Sequence, residues 1–251
     1  MSQFATPLLA LTLLVASGTP AAAPIEPRTP LLERAGRGGA KGAPTQAPAA
    51  LHRDGLAPIV DNERVTVWDI TWTKGAPSPL PRRNDDYVVL FLTNGRMKLT
   101  RPDGGSVTVP TGVGDVVFQP KGTIKTEENV ADEPVRARVI ALHDHYVAPL
   151  KNSSGYPKAF PRPGSRKLLD NARVVVWDYT FTSGSPSPMH FHDKDVVVTY
   201  MEDGALASTT PDGQSRTNEI TFGLTKFNAR NRTHTEQLVR GKARIVAVEL
   251  K

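Results

Sequence analysis

The chain has 251 residues, is 39% hydrophobic and carries a formal net charge of +6 with no cysteine. That apolar content suffices for one large domain or two small ones with real cores. The missing cysteines exclude disulfides, thiolate metal sites and thiol nucleophiles. The basic residues are spread along the chain without an aromatic-interleaved stripe, which argues against nucleic-acid binding.

Residues 1–23 contain no charged side chain. Their stretch LLALTLLVASG has the length of a signal-peptide apolar region and is followed by small residues. It is shorter than the ~20 residues of a membrane span. This predicts a signal peptide and a periplasmic or secreted protein without stable membrane insertion, although no Lys or Arg precedes the apolar run. Pro24 is a poor residue to follow a cut at Ala23, which places the cut nearer Gly18. Residues 24–56 are rich in Pro, Ala and Gly, lack strand alternation, and read as a flexible linker.

A first domain is expected over 57–146. RVTVWDITW and YVVLFL are dense in β-branched and aromatic residues, and Asn94-Gly95 and Asp103-Gly104 are hairpin signals. The stretch 147–167 is loop-like and should separate two domains. A second domain, 168–251, repeats the signs: RVVVWDYTF, VVVTYM, Asp203-Gly204 and Asp212-Gly213. No segment reads as a helix of ten or more residues.

The two domains are copies. Laid over one another at an offset of 109, Asn62–Val130 and Asn171–Val239 are identical at 27 of 69 positions without a gap. ARVIAL (137–142) matches ARIVAV (243–248) at an offset of 106. Two tandem folds of one kind follow, each built of short strands in a sandwich or small barrel.

Only six histidines occur, and two of them, His190 and His192, lie two apart at the head of a strand. Residues two apart face the same side of a strand, so both rings point one way. His234, the one histidine downstream, is the natural third ligand. Neutral imidazoles suit Zn, Fe, Mn, Ni and Cu alike. The pair His143 and His145 has no third histidine near it in sequence except His52, and reads as a surface feature. Trp68 and Trp177 recur at one strand position and read as packing residues.

These spacings resemble those of the cupins, and the whole chain resembles a bicupin from about residue 57 to 251. The family's first motif, G-x5-H-x-H-x3,4-E-x6-G, is matched by Gly184, His190 and His192, with Gly204 one residue late. Its second, G-x5-P-x-G-x2-H-x3-N, is matched by Gly223 and His234, while Ala229, Asn231 and Leu238 depart from it. The expected fold class is therefore all-β, two tandem double-stranded β-helix (jelly-roll) barrels. In the first copy Pro81, Arg83 and Lys125 stand where the histidines would, although Gly114, Pro120, Gly122 and Asn129 persist. That barrel should be metal-free, with Lys125 paired to an acid such as Glu127 on its own face.

The motif's carboxylate position is occupied by Val196. Asp195 is one residue early, and because Asp86 takes the same place in the copy without the motif histidines, a structural role such as a turn hydrogen bond is favoured for Asp195. Glu236 faces the same side as His234, either as an acid beside the metal or in a salt bridge to an Arg such as Arg232. The resemblance implies one divalent transition metal (Fe, Mn, Zn or Ni) on His190, His192 and His234, with Asp195 or Glu236 moving protons. Two functions follow from it. One is an exported metalloenzyme of oxygenase, decarboxylase or isomerase type, acting on a small carboxylate, sugar or phenolic compound. The other is a non-catalytic protein that captures a small ligand through its metal. A third reading makes the first barrel an anion pocket around Arg83 and Lys125. A homodimer is compatible with such sheets.

Overall fold

The computed structural model describes residues 56–76, 78, 84–123 and 125–251. The signal segment, nearly all of the linker, and Pro81 and Arg83 lie outside the described residues. Among the described residues there is no helix, so none is long and apolar enough to cross a membrane.

The first copy supplies β1 (Val60–Asp61), β2 (Val65–Trp72), β3 (Asp86–Phe91), β4 (Gly95–Thr100), β5 (Ser106–Thr111), β6 (Val116–Gln119), β7 (Thr126–Asn129) and β8 (Val135–Leu142). The second supplies β9 (Arg166–Asp170), β10 (Val174–Thr180), β11 (His190–His192), β12 (Val196–Tyr200), β13 (Gly204–Thr209), β14 (Ser215–Ile220), β15 (Thr225–Asn228), β16 (Arg232–Gly241) and β17 (Arg244–Leu250). In each copy a five-stranded sheet faces a smaller one: β1-β2-β8-β3-β6 opposite β5-β4-β7, and β15-β12-β17-β10-β9 opposite β11-β16-β13-β14. The counterpart of β11 in the first copy falls at 81–83, outside the described residues.

The apolar runs that show no alternation have a direct explanation: the central strands are buried on both faces. Trp68, Ile70, Tyr87 and Val89 fill the interior of the first barrel. Val175, Trp177, Val196 and Val198 fill that of the second. The intervening residues, Val65, Val67, Val88 and Leu90 with Val174, Val176, Val197 and Val248, form a third cluster in which the two large sheets pack against each other. The described residues accordingly make one compact unit containing both barrels.

Polar contacts across this interface repeat under the 109-residue offset. Arg64 of the first barrel pairs with Asp195 of the second at 2.6 Å, and Arg173 of the second pairs with Asp86 of the first at 3.1 Å. The backbone N–H of Lys121 donates to Asp86 and that of Arg230, 109 residues on, donates to Asp195. Arg138 is held by Asp69 and donates across the interface to the carbonyl oxygen of Gly223 at 2.7 Å. Arg244, its partner under the repeat, is held by Asp178 and lies against Gly114. The two copies therefore meet as the subunits of a two-fold dimer do, each residue of a pair finding the other's counterpart.

Candidate metal centre

The strand β11 consists of His190, Phe191 and His192, all buried. Alternation turns both histidine rings to the barrel interior and Phe191 to the other face. β16 runs antiparallel to β11, and its register sets His234 directly opposite His190. The ring centroids stand 5.1 Å (His190–His192), 4.7 Å (His190–His234) and 5.1 Å (His192–His234) apart. One ligand nitrogen from each lies within 4.8 Å of the others, close to the ~4 Å that bonds of ~2.1 Å to one ion allow.

Local contacts hold this arrangement. Ser187 zips the segment before β11 onto β16: its N–H donates to the Glu236 carbonyl oxygen at 2.8 Å, and its hydroxyl accepts from the Glu236 N–H at 2.9 Å. Asn231 turns the chain into β16 with φ at +68°, and its N–H donates to the carbonyl oxygen of His192. Asn tolerates that left-handed conformation far better than most residues, which is how it stands at the motif's glycine position.

The donor set fits a metal. His190 Nδ1 is 2.8 Å from the Pro188 carbonyl oxygen, so Nδ1 carries the proton and Nε2 presents its lone pair. That Nε2 and both ring nitrogens of His192 are buried without a hydrogen-bond partner. Buried nitrogens of this kind are ordinarily satisfied, and an ion would satisfy them. The rings are also in the neutral form that ligation needs. Burial, then the neighbouring His234 and His190, pushes His192 down to about 2. Burial takes His234 down to about 4 against the opposing pull of Glu236. His190 is lowered by burial and by Arg162.

Glu236 is brought to the site, with Oε2 3.9 Å from His234 Nε2 and 3.5 Å from Arg162. Burial alone would raise its carboxyl, but Arg162, His234, His190 and Arg232 outweigh this and hold it below the ordinary value. Asp195 is not at the site. Its two oxygens are taken by Arg64 and by the N–H of Arg230 at the interface between the barrels, and it lines a different cleft from the histidines. The strand position that puts Val196 into the barrel interior turns Asp195 the other way. His143 is half-buried and shares a hydrogen bond with Thr66, while exposed His145 sits 3.7 Å from Glu63; neither joins the cluster.

A cavity of about 90 Å³ opens on the cluster, and His192, His234 and Glu236 share it with Arg162, Arg232 and Lys226. Arg162 was not foreseen. It lies in the loop between the barrels, its side chain is 5% exposed, and its guanidinium stacks 4.7 Å from Phe160, 4.0 Å from Tyr179 and 5.5 Å from Phe181. Three cations against one carboxylate leave the cavity electropositive. Arg232 lies 3.3 Å from His234 Nδ1. Tyr200, its phenol raised to about 12 by burial, completes the wall as a neutral hydroxyl.

No family model matches the chain. Its sequence is similar to the β-alanine degradation protein BauB of Pseudomonas aeruginosa, 38% identical over 60 residues. That match covers 24% of this chain and 59% of the curated relative's length. Among solved structures, it is similar to a cupin 2 conserved barrel domain protein from Leptotrichia buccalis, with 13% identity, a TM-score of 0.50, and coverage of 78% of this chain and 88% of that one. It is also similar to the oxalate decarboxylase of Lactobacillus farciminis in a formate complex, with 11% identity, a TM-score of 0.54, and coverage of 75% and 77%.

Proposed function

We propose that this chain, which has the fold of two-barrel cupins, carries in its second barrel a divalent-metal site acting on a small anionic organic molecule. The observation that carries this reading is the convergence of three buried imidazoles, with the His190 Nε2 and both His192 nitrogens left without a partner. His190, His192 and His234 would hold the ion. When bound, it would supply a Lewis acid, or with iron a means of activating oxygen. Three protein ligands leave coordination positions open for a ligand.

The chain's own residues do the rest. Arg162 and Arg232 attract and orient an anionic oxygen of the ligand, and Lys226 adds charge at the wall. Glu236, a carboxylate beside His234, accepts or holds a proton. Phe160 and Tyr200 restrict water. A carboxylate is the group that this cation set suits best, and the oxalate decarboxylase with formate is a fold neighbour with that chemistry in its name. Export directed by residues 1–23 belongs to the same proposal and is checked by fractionating cells that express the full chain.

One feature favours the alternative of a non-catalytic binder: Val196 stands at the motif's carboxylate position, and Glu236 is engaged by Arg162. Metal analysis of the purified chain comes first. About one equivalent in the natural protein, lost in a His190→Ala/His234→Ala variant, is expected. The same metal content in both would overturn the reading. Carbon dioxide release and oxygen uptake with small carboxylates then separate enzyme from binder, because a binder would be stabilised thermally by such acids without consuming them.

A further inference from the structure

The first barrel has lost the histidines but not its cavity. An opening of about 80 Å³ remains in its interior, against about 90 Å³ at the histidine cluster. What changed is the lining. At the 109-residue offset, Lys226, Asn218, Ser208 and Tyr200 of the second cavity correspond to Val117, Val109, Leu99 and Phe91 of the first. Four polar side chains have become four apolar ones around a space that stayed open. An unfilled apolar cavity is destabilising, and a barrel kept only as scaffold would gain by filling it.

The polar end of this cavity is defined. Lys125 Nζ lies 3.2 Å from Glu127 Oε1, and the same oxygen accepts from Gln119 Nε2 at 2.8 Å. Among the described lining residues this cation is thus neutralised, which disfavours an anionic occupant. Because the Gln119 amide nitrogen faces the carboxylate, its Oε1 is the atom left over. Gln119 is 5% exposed and Thr111 7% exposed; both line the cavity, and neither Gln119 Oε1 nor Thr111 Oγ1 has a hydrogen-bond partner. Buried acceptors of this kind call for a donor.

We propose that the first barrel is a second binding site, taking a small neutral molecule with an apolar body and one hydroxyl donor, of the phenol class. The hydroxyl donates to Gln119 Oε1 beside Thr111, and the ring lies among Leu99, Val109 and Phe91. The site does not depend on the metal reading, since none of its residues touches the histidine cluster.

Calorimetric titration of the full chain with phenol, toluene and benzoate tests this. Phenol should bind saturably, and a His190→Ala/His234→Ala variant should bind it within about twofold of the natural protein and more tightly than it binds benzoate. Gln119→Leu should weaken phenol roughly three- to tenfold, the worth of one hydrogen bond, without weakening toluene. Val109→Phe, at a half-buried position that accepts a larger side chain, should abolish binding of both. The proposal is overturned if phenol does not bind saturably, if benzoate binds the histidine variant more tightly than phenol does, or if the histidine variant loses phenol while Gln119→Leu keeps it.

Discussion

Replacing Asp195 by Ala should cost stability and leave the metal centre intact. Asp195 and Arg64 are each 9% exposed and meet at 2.6 Å. Removing the carboxylate leaves a buried guanidinium without its counter-charge, which typically costs 3–5 kcal/mol. It also strips the Arg230 N–H of its acceptor, worth ~1 kcal/mol. The pair borders an open cleft between the barrels, and water can solvate the orphaned Arg64 from there, so about 3 kcal/mol is the expected net loss. For a unit of this size that is a fall in Tm of roughly 6–12 °C. The symmetry-related Asp86→Ala should cost only about 1 kcal/mol: its partner Arg173 is 28% exposed and keeps Asp144 at 2.7 Å. Replacing both members of the buried pair with apolar residues, Arg64→Met with Asp195→Leu, should recover most of the loss. Thermal and denaturant unfolding measure these differences, and metal content measured on the same samples reports on the site. An Asp195→Ala protein within about 0.5 kcal/mol of the natural one, but stripped of metal or turnover, would refute the argument and return Asp195 to the histidine cluster.

Two further outcomes follow from particular residues. Asn231 holds φ at +68° where it braces His192, so Asn231→Gly should be nearly neutral, whereas Asn231→Val should cost ~1–3 kcal/mol and lower metal affinity; denaturation and metal titration of the two variants check this. Glu249 is buried, accepts from Trp177 Nε1 at 2.8 Å, and has its carboxyl raised above the ordinary 4.5, chiefly by burial, against the pull of Lys194 and Trp177. In the window between the unfolded and the raised folded value, the folded chain keeps a proton that the unfolded chain has released, so stability falls as pH rises through it. Glu249→Gln keeps the acceptor and removes that loss. Its stability relative to the natural chain should therefore improve as pH rises above 4.5 and show no such gain below it; a difference constant with pH, measured by urea unfolding across the range, would contradict this.

Much of this was legible in the sequence because duplication makes a chain its own comparison. The two copies share Trp68 and Trp177, Asp69 and Asp178, and the glycines that open their turns, which fixed the all-β reading and the tandem barrels. The triad was legible because a strand's two-residue period and a second motif spacing bring three imidazoles together with no freedom to drift. What stayed hidden depended on partners distant in sequence. Arg162 is one basic residue in a Pro-rich loop, and only the fold seats it over Phe160, Tyr179 and Phe181. The only sequence hint is its position in FPRPG, between two prolines and two residues after an aromatic. YVVLFL and VVVTYM announced burial on both faces but not what lay on the second face, which is the other barrel.

The same two-sided burial explains why Asp195 misleads. Its position next to the expected ligand, immediately before the start of β12, suits a metal-site acid as well as an interface residue. The deciding fact is that Asp86 repeats it in the barrel that lacks the three motif histidines, and that Arg64 and Arg173 repeat opposite them. A residue selected for metal chemistry should have drifted in the copy that lacks the three histidines, where Pro81, Arg83 and Lys125 stand instead. A residue selected for a two-fold interface must persist in both copies, because each copy supplies half of every reciprocal pair. Persistence under the repeat therefore distinguishes these residues: Arg64 with Arg173, Asp86 with Asp195 and Arg138 with Arg244 are kept in both copies and join the barrels, His190, His192 and His234 occur in one copy and form the cluster, and Glu236, kept as Glu127, lines a cavity in each.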